Sequence, residues 1–130
     1  MKFVLYFAIG WCVVCGFAGE ALAYDGNGLL EDCQIAMKVL GGNPIMGDQF
    51  KAGAASGMCL GLVQGVVGMG YLWQDTGAHY YCLPEEEFST KQAVRVILKY
   101  LEDNPAELHR RALVLLVRAF MDAFPCEEGN

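Results

Sequence analysis

Residues 48–73 read DQFKAGAASGMCLGLVQGVVGMGYLW, and no charged residue interrupts the run between Lys51 and Asp75. Gly53, Gly57, Gly61 and Gly65 recur every four residues, which on a helix sets them along one stripe. Each glycine costs about 1 kcal/mol against alanine in a helix interior, so the stripe calls for a packing reason. A bare line of backbone lets another helix approach closely, as small-residue stripes do in membranes. The segment is also long enough for a membrane span, which takes roughly 20 apolar residues. Ala52–Trp73 nonetheless contains Ser56, Gln64 and Cys59 and has few of the large aliphatic side chains that lipid favours. It is expected to be a buried helix of a small all-α bundle, with no membrane span in the mature protein.

The flanking segments supply the other helices. Leu29, Cys33, Ala36, Met37 and Leu40 recur at three-to-four spacing and predict a first helix over Leu29–Leu40, stopped by Gly41-Gly42-Asn43-Pro44. Beyond Trp73, Gln74–Phe88 reads as a connection, aromatic at Tyr80 and Tyr81 and acidic at Asp75, Glu85, Glu86 and Glu87. Loops of about 15 residues are uncommon in compact domains and are often functional. Ser89 and Gln92 form a capping box for a third helix whose inward positions are Ala93, Ile97, Tyr100 and Leu101. Asn104-Pro105-Ala106-Glu107 repeats the logic, with Asn104 as cap and Pro105 at the first position of a fourth helix running to about Phe124. That last segment is apolar around most of its circumference, which suits a central helix or half of a subunit interface.

The first 23 residues look like an address rather than structure. Lys2 begins them, Phe3–Ala18 is an apolar run, and Ala21-Leu22-Ala23 is a small-x-small cleavage site. The run is short for a retained span, and neither Val14 before Cys15 nor Trp11 before Cys12 suits lipid modification. A single domain over residues 24–130 is therefore expected in the periplasm, where thiols oxidise. Cleavage removes one of 9 basic and one of 15 acidic residues, leaving 8 against 14 and an unchanged net charge of −6. So acidic a domain is a poor partner for nucleic acid, whose phosphates require a basic face.

Four cysteines remain: Cys33, Cys59, Cys82 and Cys126. No C-x-x-C pair occurs among them, so neither a metal site nor a cofactor is expected. Three pairings are open to four cysteines. An antiparallel hairpin of the third and fourth helices would bring Cys82 near Cys126. Folding the first two helices together at Gly41–Gly47 would bring Cys33 towards Cys59. Two such bridges would staple the bundle.

The ordered set Gly57-x-Cys59-x-Gly61, Tyr81-Cys82-x-Pro84, Gln92, Tyr100-Leu101-x-x-Asn104-Pro105-x-x-x-His109, Ala112 and Ala123-Phe124-Pro125-Cys126 resembles the Rap/Tai family of immunity proteins associated with type VI secretion. The resemblance covers the mature chain and is densest from Cys82 to Cys126. It implies an all-α periplasmic protein, often a homodimer, that performs no chemistry. Such proteins bind a toxin delivered by a neighbouring or sister cell, typically a papain-like peptidoglycan amidase, and block its cleft with a surface loop.

On this basis Asp75, His79, Tyr80, Tyr81, Glu85, Glu86 and Glu87 are the candidate partner-binding residues. Tyrosine is favoured at interface hot spots, although Tyr81, directly before a cysteine, also suits the core. Gln92, Asn104, Pro105 and His109 are expected to be structural, His109 through a hydrogen bond. Two other classes compete. A general periplasmic binding or chaperone-like module would bind unfolded clients promiscuously, and a cysteine–histidine enzyme would need a free thiol beside His79 or His109.

Overall fold

The structure, a computed structural model, describes residues 24–44, 46–84 and 88–126; the expected signal peptide and Glu85–Glu87 lie outside the described residues. Among these residues the chain forms four α-helices and one 3₁₀ turn. They are α1 (Gly26–Leu40), α2 (Gln49–Thr76), α3 (Thr90–Asp103), the turn Pro105–Glu107 and α4 (Ala112–Ala123). The all-α bundle is the fold anticipated above, and its two disulfides are Cys33–Cys59 and Cys82–Cys126. Each could contribute roughly 2–4 kcal/mol, much of it by restricting the unfolded chain.

The first three α-helices start on short acceptors that satisfy free backbone amides. Asp25 Oδ1 accepts from the amides of Asn27 and Gly28, both at 3.1 Å, and so begins α1 three residues before Leu29. Asp48 does the same for Phe50 and Lys51 at the start of α2. At α3, Ser89 Oγ accepts from the Gln92 amide at 3.2 Å. The exposed Gln92 side chain does not bond back, so only half of the expected capping box forms. Helix α2 runs on through Asp75 to Thr76, past the expected end at Trp73. Gly77 stops it at φ 79°, a left-handed conformation that glycine adopts freely.

The expected fourth helix is broken near its start. Asn104 makes no side-chain cap there. Its Nδ2 instead donates back to the Tyr100 carbonyl at 2.8 Å and closes the end of α3. After the 3₁₀ turn the chain straightens at Arg111 and forms an isolated antiparallel bridge with Asp25. Gly26 N donates to Arg110 O and Ala112 N to Tyr24 O, each at 3.0 Å. That two-rung stitch uses the Arg110 carbonyl and the Ala112 amide, which a continuous fourth helix would have kept. Gly26 is required beside it, since a Cβ would collide with Leu108 backbone. His109 lies exposed in the intervening turn, and among the described residues its ring makes no hydrogen bond. The structural bond expected of it is therefore absent.

The core gathers the inward faces of all four helices: Leu29 and Cys33 from α1, Cys59, Val63 and Val66 from α2, Val94, Ile97 and Leu101 from α3, and Leu115, Leu116 and Phe120 from α4. Helix α2 is long and apolar enough by composition to cross a membrane. One side of it nevertheless closes this core and is bridged to α1.

The glycine stripe departs from expectation. Gly53, Gly57, Gly61, Gly65 and Gly68 are exposed, and a Cβ built on any of them would meet nothing within 4 Å. The helix buries the adjacent line Ala52, Ala55, Ser56, Cys59, Val63, Val66 and Gly70 instead. Periodicity located the stripe correctly but could not say which of two neighbouring lines faces inward.

Candidate functional site

The segment between α2 and α3 is held at several points before it reaches Glu85. Gly77 and Ala78 amides close onto the Gln74 and Trp73 carbonyls. The chain then returns along α2, where Gln74 Nε2 donates to the Leu83 carbonyl at 3.2 Å and Tyr71 Oη to that of Pro84 at 3.5 Å. From the other side, Cys82 N donates to Phe124 O at 2.9 Å, beside the Cys82–Cys126 bridge.

Tyr81 is the anchor of this segment. It is fully buried, stacks on Phe120 with centroids 5.5 Å apart, and donates its hydroxyl to the Val66 carbonyl. Burial pushes its phenol up to about 12. Gly70 makes room for the ring, because a Cβ there would strike Tyr81 and Leu83. Tyr81 is thus a core residue and cannot meet a partner, which corrects its place among the candidate contacts.

The neighbouring side chains point outward. Tyr80 is 58% exposed, and its ring leans on Trp73 at 4.7 Å. His79 and Asp75 are also exposed, Asp75 on the last turn of α2 rather than in a loop. The described, outward-facing part of this candidate segment is therefore a short turn, Gly77–Tyr80, on a braced base. The position of Tyr81 directly before Cys82 leaves a core role open for it beside the contact role. The hydrogen bond to Val66 and the vacancy at Gly70 decide it.

A second surface was not singled out from sequence. The glycine stripe of α2 lies beside the outer face of α4, where Leu113 is 56% exposed and Met121 45%. Between the helices runs an almost wholly apolar groove of about 410 Å³, floored by Gly61 and Gly65 and walled by Met69, Trp73, Leu113 and Val117. Its signals in sequence were the charge-free run of α2 and the broadly apolar fourth helix, each visible alone but not their adjacency.

Two of the residues expected to be structural make such contacts. Pro105 opens the 3₁₀ turn and Asn104 caps α3. Glu107, in that turn, accepts from Arg118 Nη1 at 2.8 Å and lies 3.5 Å from Tyr100 Oη. The bond from Arg118 holds its carboxyl below the usual carboxylate range. The four cysteines among the described residues are all joined in disulfides, so none of them offers the free thiol that a cysteine–histidine enzyme requires.

Fold and surface together define a small disulfide-braced helical domain that presents a supported aromatic turn and an open apolar face. The family model of the Rap1a immunity proteins matches residues 25–126. The chain belongs to that family, in agreement with the resemblance read from its motifs. Comparison with curated proteins and with solved structures gives no match.

Proposed function

We propose that this chain is a periplasmic immunity protein that binds and inhibits a toxin delivered by type VI secretion. The target class is a papain-like peptidoglycan amidase, and the inhibitor acts by seating the turn after α2 in its cleft. Family membership supports the general role, immunity against a secreted toxin. The observation that carries the mode of action is Tyr80, an exposed aromatic side chain on a turn fixed by Gly77, buried Tyr81 and the Cys82–Cys126 bridge. A pre-organised contact segment loses little freedom on binding, so more of its contact energy appears as affinity. The net charge of −6 would steer the protein towards a basic partner surface and raise the association rate at low salt. Inhibition by occlusion requires no chemistry from the inhibitor and no cofactor.

The homodimer is assigned to the other surface. A second copy would lay its own α2 and α4 across the glycine stripe, so that Met69 and Leu113 of each copy fill the groove of the other. A two-fold pairing needs a self-complementary patch, and this one joins bare backbone and protruding apolar side chains in a single face. The same exposed apolar face would also suit a chaperone-like module, and stoichiometry separates the two readings. A dedicated inhibitor retains one partner in fixed ratio, whereas a chaperone captures many unfolded clients.

Deleting the whole segment after α2 would remove Tyr81 from the core, so a point change is the cleaner test. Tyr80→Ala should weaken inhibition of the amidase by about 30-fold or more, the scale of a hot spot near 2 kcal/mol. The thermal melt should stay near wild type. Undiminished inhibition by the Tyr80→Ala protein would remove the turn from the interface.

A further inference from the structure

Helices α1 and α2 meet at a turn that none of the described residues covers. Met46 is 93% exposed and Phe50 86%, and Val39 and Leu40 are exposed beside them. Gly42 and Gly47 bend the chain there at φ 70° and 112°, conformations that favour glycine, and a Cβ on either would meet no atom within 4 Å. The turn therefore projects as a narrow apolar tip. Helix formation does not call for a large apolar side chain at Phe50, whose place in the first turn of α2 is held by its backbone amide on Asp48. Apolar side chains gathered in the open mark a surface that meets a partner.

Two further properties state the chemistry of that partner. The first is a backbone satisfied from within. The amides of Gly41, Gly42 and Asn43 donate to the Met37, Val39 and Lys38 carbonyls at 3.0–3.1 Å, and Pro44 has no amide. Those of Phe50, Lys51 and Ala52 are all taken by Asp48. Such a segment leaves water at little polar cost, which is the condition for entering a lipid interface.

The second property is charge. From Cys33 to Gln74 the charged residues are Lys38, Asp48 and Lys51, a balance of +1 within a chain of net charge −6. Lys38 in the last turn of α1, Lys51 in the first turn of α2 and Met46 border one cleft of about 490 Å³. Glu31 borders it too, but seven residues before Lys38 on α1 and so about 10 Å back from the tip. Two ammonium groups thus flank the projecting side chains, on stems long enough to keep the charge at headgroup level.

We propose that this tip is a membrane-docking surface that seats on a bilayer bearing anionic phospholipid headgroups. Met46 and Phe50 enter the boundary between headgroups and acyl chains, and Lys38 and Lys51 pair with the phosphates. The acidic remainder of the chain is repelled by the same surface, which orients the protein tip-first. Phe50 and Thr76 stand at opposite ends of α2, about 40 Å apart at the helical rise. Docking therefore leaves the turn after α2 free, and it does not rest on the inhibitor reading.

The test uses the mature chain and extruded vesicles of phosphatidylethanolamine with phosphatidylglycerol, with phosphatidylcholine vesicles as the neutral surface. The chain should sediment with the anionic vesicles at low salt and far less with the neutral ones. Lys38→Glu with Lys51→Glu should weaken binding by about 30-fold or more, since each lysine near an anionic surface is worth about fivefold. Met46→Ser with Phe50→Ser should weaken it by about tenfold or more. All four side chains are exposed, so both variants should melt as the unmodified chain does. A tryptophan introduced by Phe50→Trp should be quenched by brominated acyl chains, whereas Trp73, near the other end of α2, should not. The proposal is overturned if the chain stays in solution with anionic vesicles, if the serine pair binds undiminished, or if Trp73 is the residue quenched. Loss of amidase inhibition in these variants without vesicle binding would equally overturn it and assign the tip to a protein partner. Tyr80→Ala should bind vesicles as the unmodified chain does, so this test and that of the inhibitor turn fail separately.

Discussion

Replacing Gly61 and Gly65 by alanine separates what the glycine stripe costs the fold from what it gives to association. Both positions are exposed on α2, and a Cβ at either meets no atom within 4 Å. Alanine should therefore recover the full helix-propensity difference, about 1 kcal/mol at each site and about 2 kcal/mol for the pair. For a domain of this size that raises the melting temperature by about 8 °C or more. Melts must be recorded at concentrations low enough to keep the protein monomeric, since dimer formation itself stabilises the folded state. The two methyl groups would also stand on the floor of the apolar groove and hold a second copy's helix away. Sedimentation across a concentration series should then show self-association weakened by about tenfold or more, equivalent to about 1.4 kcal/mol. A more stable chain that dimerises less well is the expected pair of results. Unchanged self-association would refute the interface assignment, and a lower melting temperature would refute the open environment of the stripe.

The opposite sign is expected nearby. Gly70→Ala places a Cβ against Tyr81 and Leu83, and overpacking of this kind typically costs about 1–3 kcal/mol, readable as a lower urea midpoint with unchanged slope. Stability should also fall in acid. Backbone and side-chain bonds from Gly28 and Asn27 hold Asp25 below its ordinary range, and the bond from Arg118 does the same for Glu107. Both folded values lie under the unfolded ones, so the stabilisation is complete above the unfolded carboxylate range near pH 4 and is lost as pH falls through the folded values. Urea midpoints measured at successive pH values below about 5 should fall less steeply in Asp25→Asn and Glu107→Gln than in the unmodified chain.

The helices themselves were largely legible, because each carries a capping acceptor or an apolar period that local physics enforces: Leu29 with Cys33, Ser89 with the Gln92 amide, Ala93 with Ile97. The disulfide pairing was legible for a related reason, since helix order in a small bundle leaves few neighbours for each cysteine. What escaped was decided by tertiary contact. Asn104 followed by Pro105 has the form of a helix start, yet the Tyr24 carbonyl takes Ala112's amide and α4 begins only at that residue. Tyr80 and Tyr81 are chemically identical; the sequence leaves both roles open for Tyr81, and the space above Gly70 with the bond to Val66 settles it in the core. The groove between α2 and α4 joins residues about 50 positions apart, such as Gly61 and Leu113, and no local pattern records that adjacency.

The two bridges join Cys33 to Cys59 and Cys82 to Cys126, each of these cysteines to its neighbour among the four, enclosing separations of 26 and 44 residues that do not overlap. A chain oxidised as it emerges, N-terminus first, would thus meet each correct partner as the next thiol to appear. The order of synthesis and the order of native pairing coincide. Oxidation in that order would need no reshuffling, and the first helix pair could be locked before Cys82 emerges.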